Sequence, residues 1–449
     1  MKHILSLIFT AFIVHAAVAQ EAAPQKLSLQ DCMDYAVQNN YTVKNAQLDI
    51  LIQQAQNAQT AALAYPKVNG KAEFDYFTRP QSQFLNARTF GGPSAPDAIV
   101  AFAFSVPFAG STSISASQLI FDGSALVALQ ARKMALELAQ QNARATVDNI
   151  KYNIFKAYFA LAVGYRQRDL LAKSLGTVRT MLYDLDALNK SGFAEKIDVE
   201  RSNVQINNLQ NDSASLENGI KLYEYALKYT IGMDIKKPIS ITDTALDSHT
   251  MSSARLLLET DSYERVPEYT VLTTVKSLLE YNVKRYKLAA LPSLAAFANL
   301  GTNYGSDKFA DIWKFRHYES NSLIGLQLNV PIFNGFVRQN QVKEAKLNVQ
   351  KAQNNIDNLK SGIDFMAAQA RATLKNSLLQ LKSQTENLNL ATEVVDLAQK
   401  KYKAGVGSNL EVTTAQAELL KTQNTYFSTL LNIINAEGDL RKALGMFNR

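Results

Sequence analysis

Val330-Pro331-Ile332-Phe333-Asn334-Gly335-Phe336, the close of an alternating apolar segment, leads into a stretch that reads as one very long helix running to Gly405. Apolar or small residues fall at Val342, Ala345, Val349, Ala352, Ile356, Leu359, Ile363, Met366 and Ala370, spaced by three and four. The pattern lapses between Ser377 and Thr385, resumes at Leu388, Ala391, Val395, Ala398 and Tyr402, and stops at Lys403-Ala404-Gly405-Val406-Gly407. A seven-residue apolar repeat of this length points to helices packed as a coiled coil rather than to one side of a globular core. At about 1.5 Å per residue the helix is on the order of 100 Å long, wider than an ordinary globular domain.

The composition excludes several classes. Few Pro and Gly, four His and one Cys in 449 residues disfavour a metal-built or disulfide-stapled protein. The net charge of +7 is spread along the chain without a basic run or an aromatic-basic interleave, which reads as a solvated surface and not as a nucleic-acid footprint. His249 and His317 stand alone, with no ligand partner at usable spacing, so no metal is expected. No Ser-His-Asp, Cys-His or paired-carboxylate constellation stands out, and no Gly-rich phosphate loop follows a strand. The chain reads as a non-enzyme without a cofactor.

Residues 1–19 read as a secretory signal peptide: Lys2, an apolar run from Ile4 to Val14, and the small residues Ala17-Val18-Ala19 before Gln20. The mature chain is therefore expected outside the cytoplasm. Cys32 lies well past that cleavage site, so it is expected as a small buried residue rather than a lipid anchor. The longest uncharged run, Ala98 to Phe121, contains Pro107, Gly110 and a Ser/Thr-rich segment, and makes a poor lipid-facing helix. An exported chain without such a helix still spans a membrane if it contributes strands to a barrel.

Read for self-similarity, the mature chain falls into two halves. Ile120-Phe121-Asp122-Gly123 returns 212 residues later as Ile332-Phe333-Asn334-Gly335. Lys190-Ser191-Gly192-Phe193, followed by Ile197-Asp198-Val199, returns 213 residues later as Lys403-Ala404-Gly405-Val406, followed by Leu410-Glu411-Val412. Ile231-Gly232-Met233 returns as Leu444-Gly445-Met446, again at 213. The expected organisation is a first repeat over 20–235, with strands at about 67–78 and 108–121 and long helices at about 122–190 and 194–231. An irregular linker covers 236–261, and the second repeat covers 262–449, with strands at about 291–304 and 321–333 and helices at about 335–403 and 408–445. A helix opens each half, Leu29 to about Leu63 and about Ser262 to Leu288, and Thr78 to Phe108 reads as a long loop.

The strands carry the information about environment. Val68, Ala72, Phe74 and Tyr76 alternate with Asn69, Lys71, Glu73 and Asp75; Ile324, Leu326, Leu328, Val330 and Ile332 alternate with Gly325, Gln327 and Asn329. Leu294, Ala296, Ala298 and Leu300 stand opposite Asn299 and Asn303. Such period-two patterns put one face in an apolar medium and the other against water. A soluble sandwich would show the same alternation; the export signal and the small strand number decide for a barrel wall. Four strands cannot close a barrel, and an open sheet with an apolar face aggregates, so several chains must share one. Pro66 and Pro292 sit where helix gives way to strand. Asp122-Gly123 and Asn334-Gly335, with Pro331, mark the strand-to-helix turns.

These residues resemble the TolC-type outer-membrane factors, also called outer membrane efflux proteins. The resemblance rests on the duplicated unit, the step Val330-Pro331-Ile332-Phe333-Asn334-Gly335, and the turn Tyr402-Lys403-Ala404-Gly405-Val406-Gly407 with its first-half partner at Gly192, and it covers essentially the whole mature chain. It implies an α+β membrane protein: a homotrimer whose chains each give four strands to a twelve-stranded β-barrel in the outer membrane, continuing as a long α-helical barrel into the periplasm. Such proteins are passive exit ducts for tripartite efflux or one-step (type I) secretion, docking onto an inner-membrane pump through a periplasmic adaptor. The resemblance also implies a periplasmic constriction. Its acidic residue, six places after the turn glycine, is here Glu411; its tyrosine is Tyr402; and the first-repeat equivalent is Asp198. Where the family has a basic residue two after the second-repeat glycine and a further acidic residue three after the position of Glu411, this chain has Gly407 and Thr414, so those gate linkages are missing. The hairpin tips at Gly192, Gly405 and Gly407 would meet the adaptor. Trp313 and Tyr318, between the second-half strands, suit a membrane-interface girdle or a loop packed on the barrel rim. The competing reading, an exported coiled-coil scaffold or adhesin, has no need of matched alternating strands in both halves.

Overall fold

In a computed structural model of the protein, which describes residues 25–79, 81–103, 105–242, 253–314 and 318–448, the period-two stretches form one antiparallel sheet. Its strands are β2 (Lys67–Tyr76), β5 (Phe108–Phe121), β7 (Ser293–Ser306) and β8 (Tyr318–Asn329), in the order β2-β5-β7-β8. The register sorts the side chains by chemistry. Val68 faces Ala116, Gly70 faces Ile114, Ile114 faces Leu300, and Ala298 faces Ile324, so these residues share one face. The opposite face carries rungs such as Asn69-Ser115-Asn299 and Glu73-Ser111-Asn303-Glu319. On the apolar face Ile324, Leu326 and Leu328 are 86%, 69% and 63% exposed in the single chain, a surface that water does not favour. Phe297 and Leu323 are exceptions on the polar face. Phe297 is seated over Gly325, where an added Cβ would stand 2.8 Å from the ring.

Aromatic side chains gather at one end of the apolar face. Tyr76 stacks on Phe108 at 4.8 Å between ring centroids, Phe309 meets Phe74 and Phe108 edge-on at 6.1 and 5.8 Å, and Tyr304 stacks on Tyr318 at 5.2 Å. Tyr318 is thus the first residue of β8 and not part of the preceding loop. Trp313 lies on a short 3-10 turn, Phe309–Lys314; its side chain is outside the described residues, as are the signal segment 1–19, His249 and His317. Residues 78–108, read as loop from their Pro and Gly, contain a two-stranded ribbon, β3 (Ser82–Asn86) with β4 (Ile99–Ala103), joined through a one-turn helix α3 (Arg88–Gly91). Period two is too short to register over five residues. In the second half the strand stops at Asn329 rather than near 333, because Pro331 has no N–H to give to the ladder. Gly335 and Phe336 then take left-handed backbone, φ 62° and 64°, before the next helix.

The helices follow the repeat spacing. α1 (Leu29–Asn39) and α2 (Tyr41–Ala61) are separate because Asn40 turns to extended backbone while its side-chain oxygen accepts from the N–H groups of Thr42 and Val43. α4 (Gly123–Lys190) has 68 residues and α5 (Lys196–Ile231) has 36. α6 (Pro267–Leu288), α7 (Val337–Lys403, 67 residues) and α8 (Asn409–Ala443, 35 residues) repeat the order. Asp122 caps α4, its carboxylate accepting from the N–H groups of Ser124 and Ala125 at 2.8 and 2.9 Å. In the second half the capping group is the backbone carbonyl of Asn334, which accepts from Val337 at 3.3 Å.

The chain divides into two compact units. One comprises Ile52–Glu137 and Thr274–Gln353 and holds the four-stranded sheet. The other comprises the described residues up to Leu51, Leu138–Thr273, and Asn354 onward. Its main core gathers Phe155, Tyr158, Phe159, Leu227, Ile231, Phe427 and Leu430, with Cys32 fully buried among them. The stretch 236–261, read as irregular, contributes β6 (Ile239–Ile241), which pairs in parallel with β1 (Gln25–Leu27). Tyr158 then donates to the carbonyl of Leu27 at 3.1 Å. Among the described residues no helix is long and apolar enough to cross a membrane.

Candidate functional site

The constriction and hairpin-tip residues read from the sequence fall at the two turns joining α4 to α5 and α7 to α8, both within the second unit described above, whereas the strand-to-helix turn residues Asp122, Gly123, Pro331, Asn334 and Gly335 belong to the unit that holds the sheet. Each long helix ends in the same geometry. Gly192 donates to the carbonyl of Asn189 and Phe193 to that of Leu188, both at 2.9 Å. Gly405 donates to Tyr402 at 2.9 Å and Val406 to Lys401 at 3.1 Å. This double closure needs a left-handed residue after the cap, and Gly192 and Gly405 supply it at φ 81° and 75°. A Cβ on either would meet nothing within 4 Å, so backbone angle alone selects glycine there. Gly407 has a different reason: a Cβ would stand 3.0 Å from both the Cβ of Lys401 and the backbone nitrogen of Tyr402.

The two helices that leave the turns begin with acids, favoured at a helix N-terminus. Ser408 caps α8 by accepting from the N–H of Glu411 at 3.2 Å, and the Glu411 carboxylate pairs with Lys401 Nζ at 3.3 Å. Both side chains of that pair are more than half exposed, so it adds little to stability. Asp198, in the first turn of α5, meets a different partner. Asn409 Nδ2 donates to its backbone carbonyl at 3.0 Å and its carboxylate at 3.2 Å, and Arg201 stands 3.9 Å away. Tyr402 is half-buried beside these groups; burial, then the negative charges of Asp198 and Asp184, push its hydroxyl above the ordinary phenol value and keep it protonated. The structure therefore brings Asp198, Tyr402 and Asn409 together and leaves Glu411 to a separate pair.

Asn409 and Lys401 were not singled out by the sequence, nor was the seam they belong to. Asn409, Gln416, Gln423, Leu430 and Glu437 lie seven residues apart on α8 and are all buried. Gln416 accepts from Gln205 of α5 at 2.8 Å, and Asn424 from Gln167 of α4 at 3.2 Å. Near the turns the packing is thus partly polar, with one small apolar cluster of Met181, Leu185, Ala398 and Val412. Phe193, Ile197, Val406 and Leu410 project outward, 83%, 51%, 75% and 53% exposed. Among the described residues no group of three or more His, Cys, Asp or Glu is placed to hold a metal ion.

Residues 278–446 match the family model described as outer membrane efflux protein. The probable efflux pump outer membrane protein TtgC of Pseudomonas putida is 22% identical over 315 residues, covering 68% of this chain and 62% of its own length, so the match spans less than two thirds of that relative. The cation efflux system protein CusC of Escherichia coli O157:H7 is 20% identical over 393 residues, covering 87% of this chain and 80% of that protein. The solved structure of CusC superposes with a TM-score of 0.72 at 18% identity over 95% of both chains. That of VceC from Vibrio cholerae gives 0.68 at 16% identity over 93% of this chain and 96% of the other. The fold is that of these outer-membrane proteins.

Proposed function

We propose that the chain, a TolC-type outer membrane efflux protein by its family match and fold, is the outer-membrane exit duct of a tripartite efflux or type I secretion system. The observation that carries the reading is the sheet β2-β5-β7-β8: two-faced, apolar on one side, and open at both edges. An isolated sheet of this kind leaves a lipid-like face in water and unpaired N–H and C=O groups along β2 and β8. Closing it against other copies removes both defects. Three copies give a twelve-stranded barrel in the outer membrane, with the Ser/Asn face lining water and the aromatic cluster at a membrane interface. The repeated helix-strand-strand-helix-helix order, with the sequence matches at 212 and 213 residues, reads as one duplicated unit, and the long helices form a periplasmic helical barrel.

In this reading the turns at Gly192, Gly405 and Gly407 are the far end of the duct. Exposed Phe193, Ile197, Val406 and Leu410 give a periplasmic adaptor an apolar surface, and through it an inner-membrane pump supplies the energy. Glu411 and Asp198 with Tyr402 form the constriction. The missing basic residue at Gly407 is compensated within the chain by Lys401, and the contact of Asn409 with Asp198 holds the two hairpins together. The test is the mass of the detergent-purified mature protein, corrected for bound detergent, together with its conductance in a planar bilayer. Three chains and a water-filled conductance are expected. A stable monomer overturns the reading, because four strands cannot seal a pore.

A further inference from the structure

One buried acid lies far from the turns and outside everything described so far. Asp148, within α4, is 1% exposed, and neither of its carboxylate oxygens has a hydrogen-bond partner. It occupies a core position of the helix: Phe155 and Ala162, seven and fourteen residues on, are buried in the main apolar cluster. An ionised carboxylate placed so costs several kcal/mol unless a cation or donors satisfy it.

The charged groups acting on it are Glu268 at the start of α6, Lys442 at the end of α8 and Lys151 on its own helix. Lys442 is already engaged: its ammonium donates to Asn149 Oδ1 and stands 4.8 Å from the Tyr152 ring centroid. Tyr152 and Lys156 are likewise committed to Asp439, at 2.6 and 3.0 Å. None of these groups donates to the Asp148 carboxylate, and Glu268 adds a like charge. A cavity of about 560 Å³ lined by Tyr152, Glu268, Asp439, Lys442, Ile363 and Met366 lies among the same side chains and gives water room to enter when the helices part.

We propose that Asp148 is a proton-operated joint in the packing of α4 against α6 and α8, tight when the carboxyl carries its proton and loosened when it is ionised. Burial, then the charge of Glu268, push the carboxyl up from 3.8 to about 6, against Lys442 and Lys151. The folded form holds the proton more tightly than an opened form does, so opening is held back at acid pH. The penalty grows as pH rises from about 3.8 to about 6 and is constant above that. With those two values, local opening is about tenfold more frequent at pH 7.5 than at pH 5.0.

The experiment is amide hydrogen exchange of the full-length protein in detergent from pH 5.0 to 7.5, corrected for intrinsic rates. Peptides from 141–155 and 436–443 should show about tenfold more opening at the higher pH, levelling near pH 6, with those from 206–227 as the unaffected control. In Asp148→Asn the same peptides should show no pH dependence. Where that variant does not fold, Glu268→Gln serves: removing the like charge moves the levelling point to lower pH. A flat wild-type profile, an unchanged slope in Asp148→Asn, or an unmoved profile in Glu268→Gln overturns the proposal.

Discussion

Two glycines with nearly the same backbone angle should respond very differently to alanine, and the difference can be worked from the structure. Gly405 and Gly445 sit at φ 75° and 65° after the ends of α7 and α8. An L-residue in this conformation costs about 1–2 kcal/mol, a term both substitutions share. At Gly405 nothing else is added, since a Cβ finds no atom within 4 Å. At Gly445 the Cβ would overlap the backbone carbonyl of Arg265, which a rotamer change cannot move aside. The turn there also seats Phe447, 6% exposed, against the main core. Gly445→Ala should therefore lose more than about 4 kcal/mol, the range reserved for steric or packing failure, and Gly405→Ala about 1–2 kcal/mol. Gly232→Ala belongs with Gly445→Ala, because its Cβ would lie 2.7 Å from the carbonyl oxygen of Asn39. The assay is thermal melting of the purified protein by far-UV circular dichroism, with the amount reaching the membrane measured in parallel. Equal losses for Gly405→Ala and Gly445→Ala would refute the steric argument.

Three further outcomes are expected. Asn409→Ala removes both donations to Asp198, one to its backbone carbonyl and one to its carboxylate, a loss of about 1–3 kcal/mol that should show as more frequent channel opening in planar bilayers; an unchanged open probability counts against Asn409 as a tie between the hairpins. Asp122→Ala should cost about 1 kcal/mol at neutral pH. The Ser124 hydroxyl, then the N–H groups of Ala125 and Ser124, hold this carboxyl below 3.8, so its contribution is present above that value and fades as pH falls through the lowered one; a cost that persists in acid would point away from the cap. Glu411→Gln should weaken block by divalent cations with little change in melting temperature, because its pair with Lys401 is exposed; unaltered block removes Glu411 from the constriction.

Much of the fold is legible in the sequence because each element meets two environments. A strand with an apolar medium on one side and water on the other must alternate, and Ile324, Leu326 and Leu328 do so against Gly325, Gln327 and Asn329. A helix of 67 residues must show its apolar stripe many times over. Elements lacking such contrast are silent. β1 and β6 have three residues each and are set by pairing across more than two hundred positions, for which no local period exists. The left-handed Phe336 is equally invisible, because a bulky side chain gives no sign that its backbone will leave the usual region.

The candidate site shows where a single sequence stops. Glycines at the turns are legible because left-handed caps select one residue type. The acids beside them have two homes: a first-turn acid is favoured by the helix terminus whether or not it faces a neighbour. Only the structure separates Asp198, bound by Asn409, from Glu411, bound by Lys401. Yet one signal was present and readable. Asn409, Gln416 and Gln423 recur at the seven-residue spacing that Leu430 continues, so the stripe running into the core changes from amide to aliphatic along α8. Polar residues on an apolar register are often placed on the solvated side, but spacing of seven on a packed helix assigns them to the seam. Amides that bond each other, as Gln205 does Gln416, fix the register of the seam in a way that aliphatic packing does not. That change sets a hydrogen-bonded seam near the turns apart from the apolar core around Phe427 and Leu430.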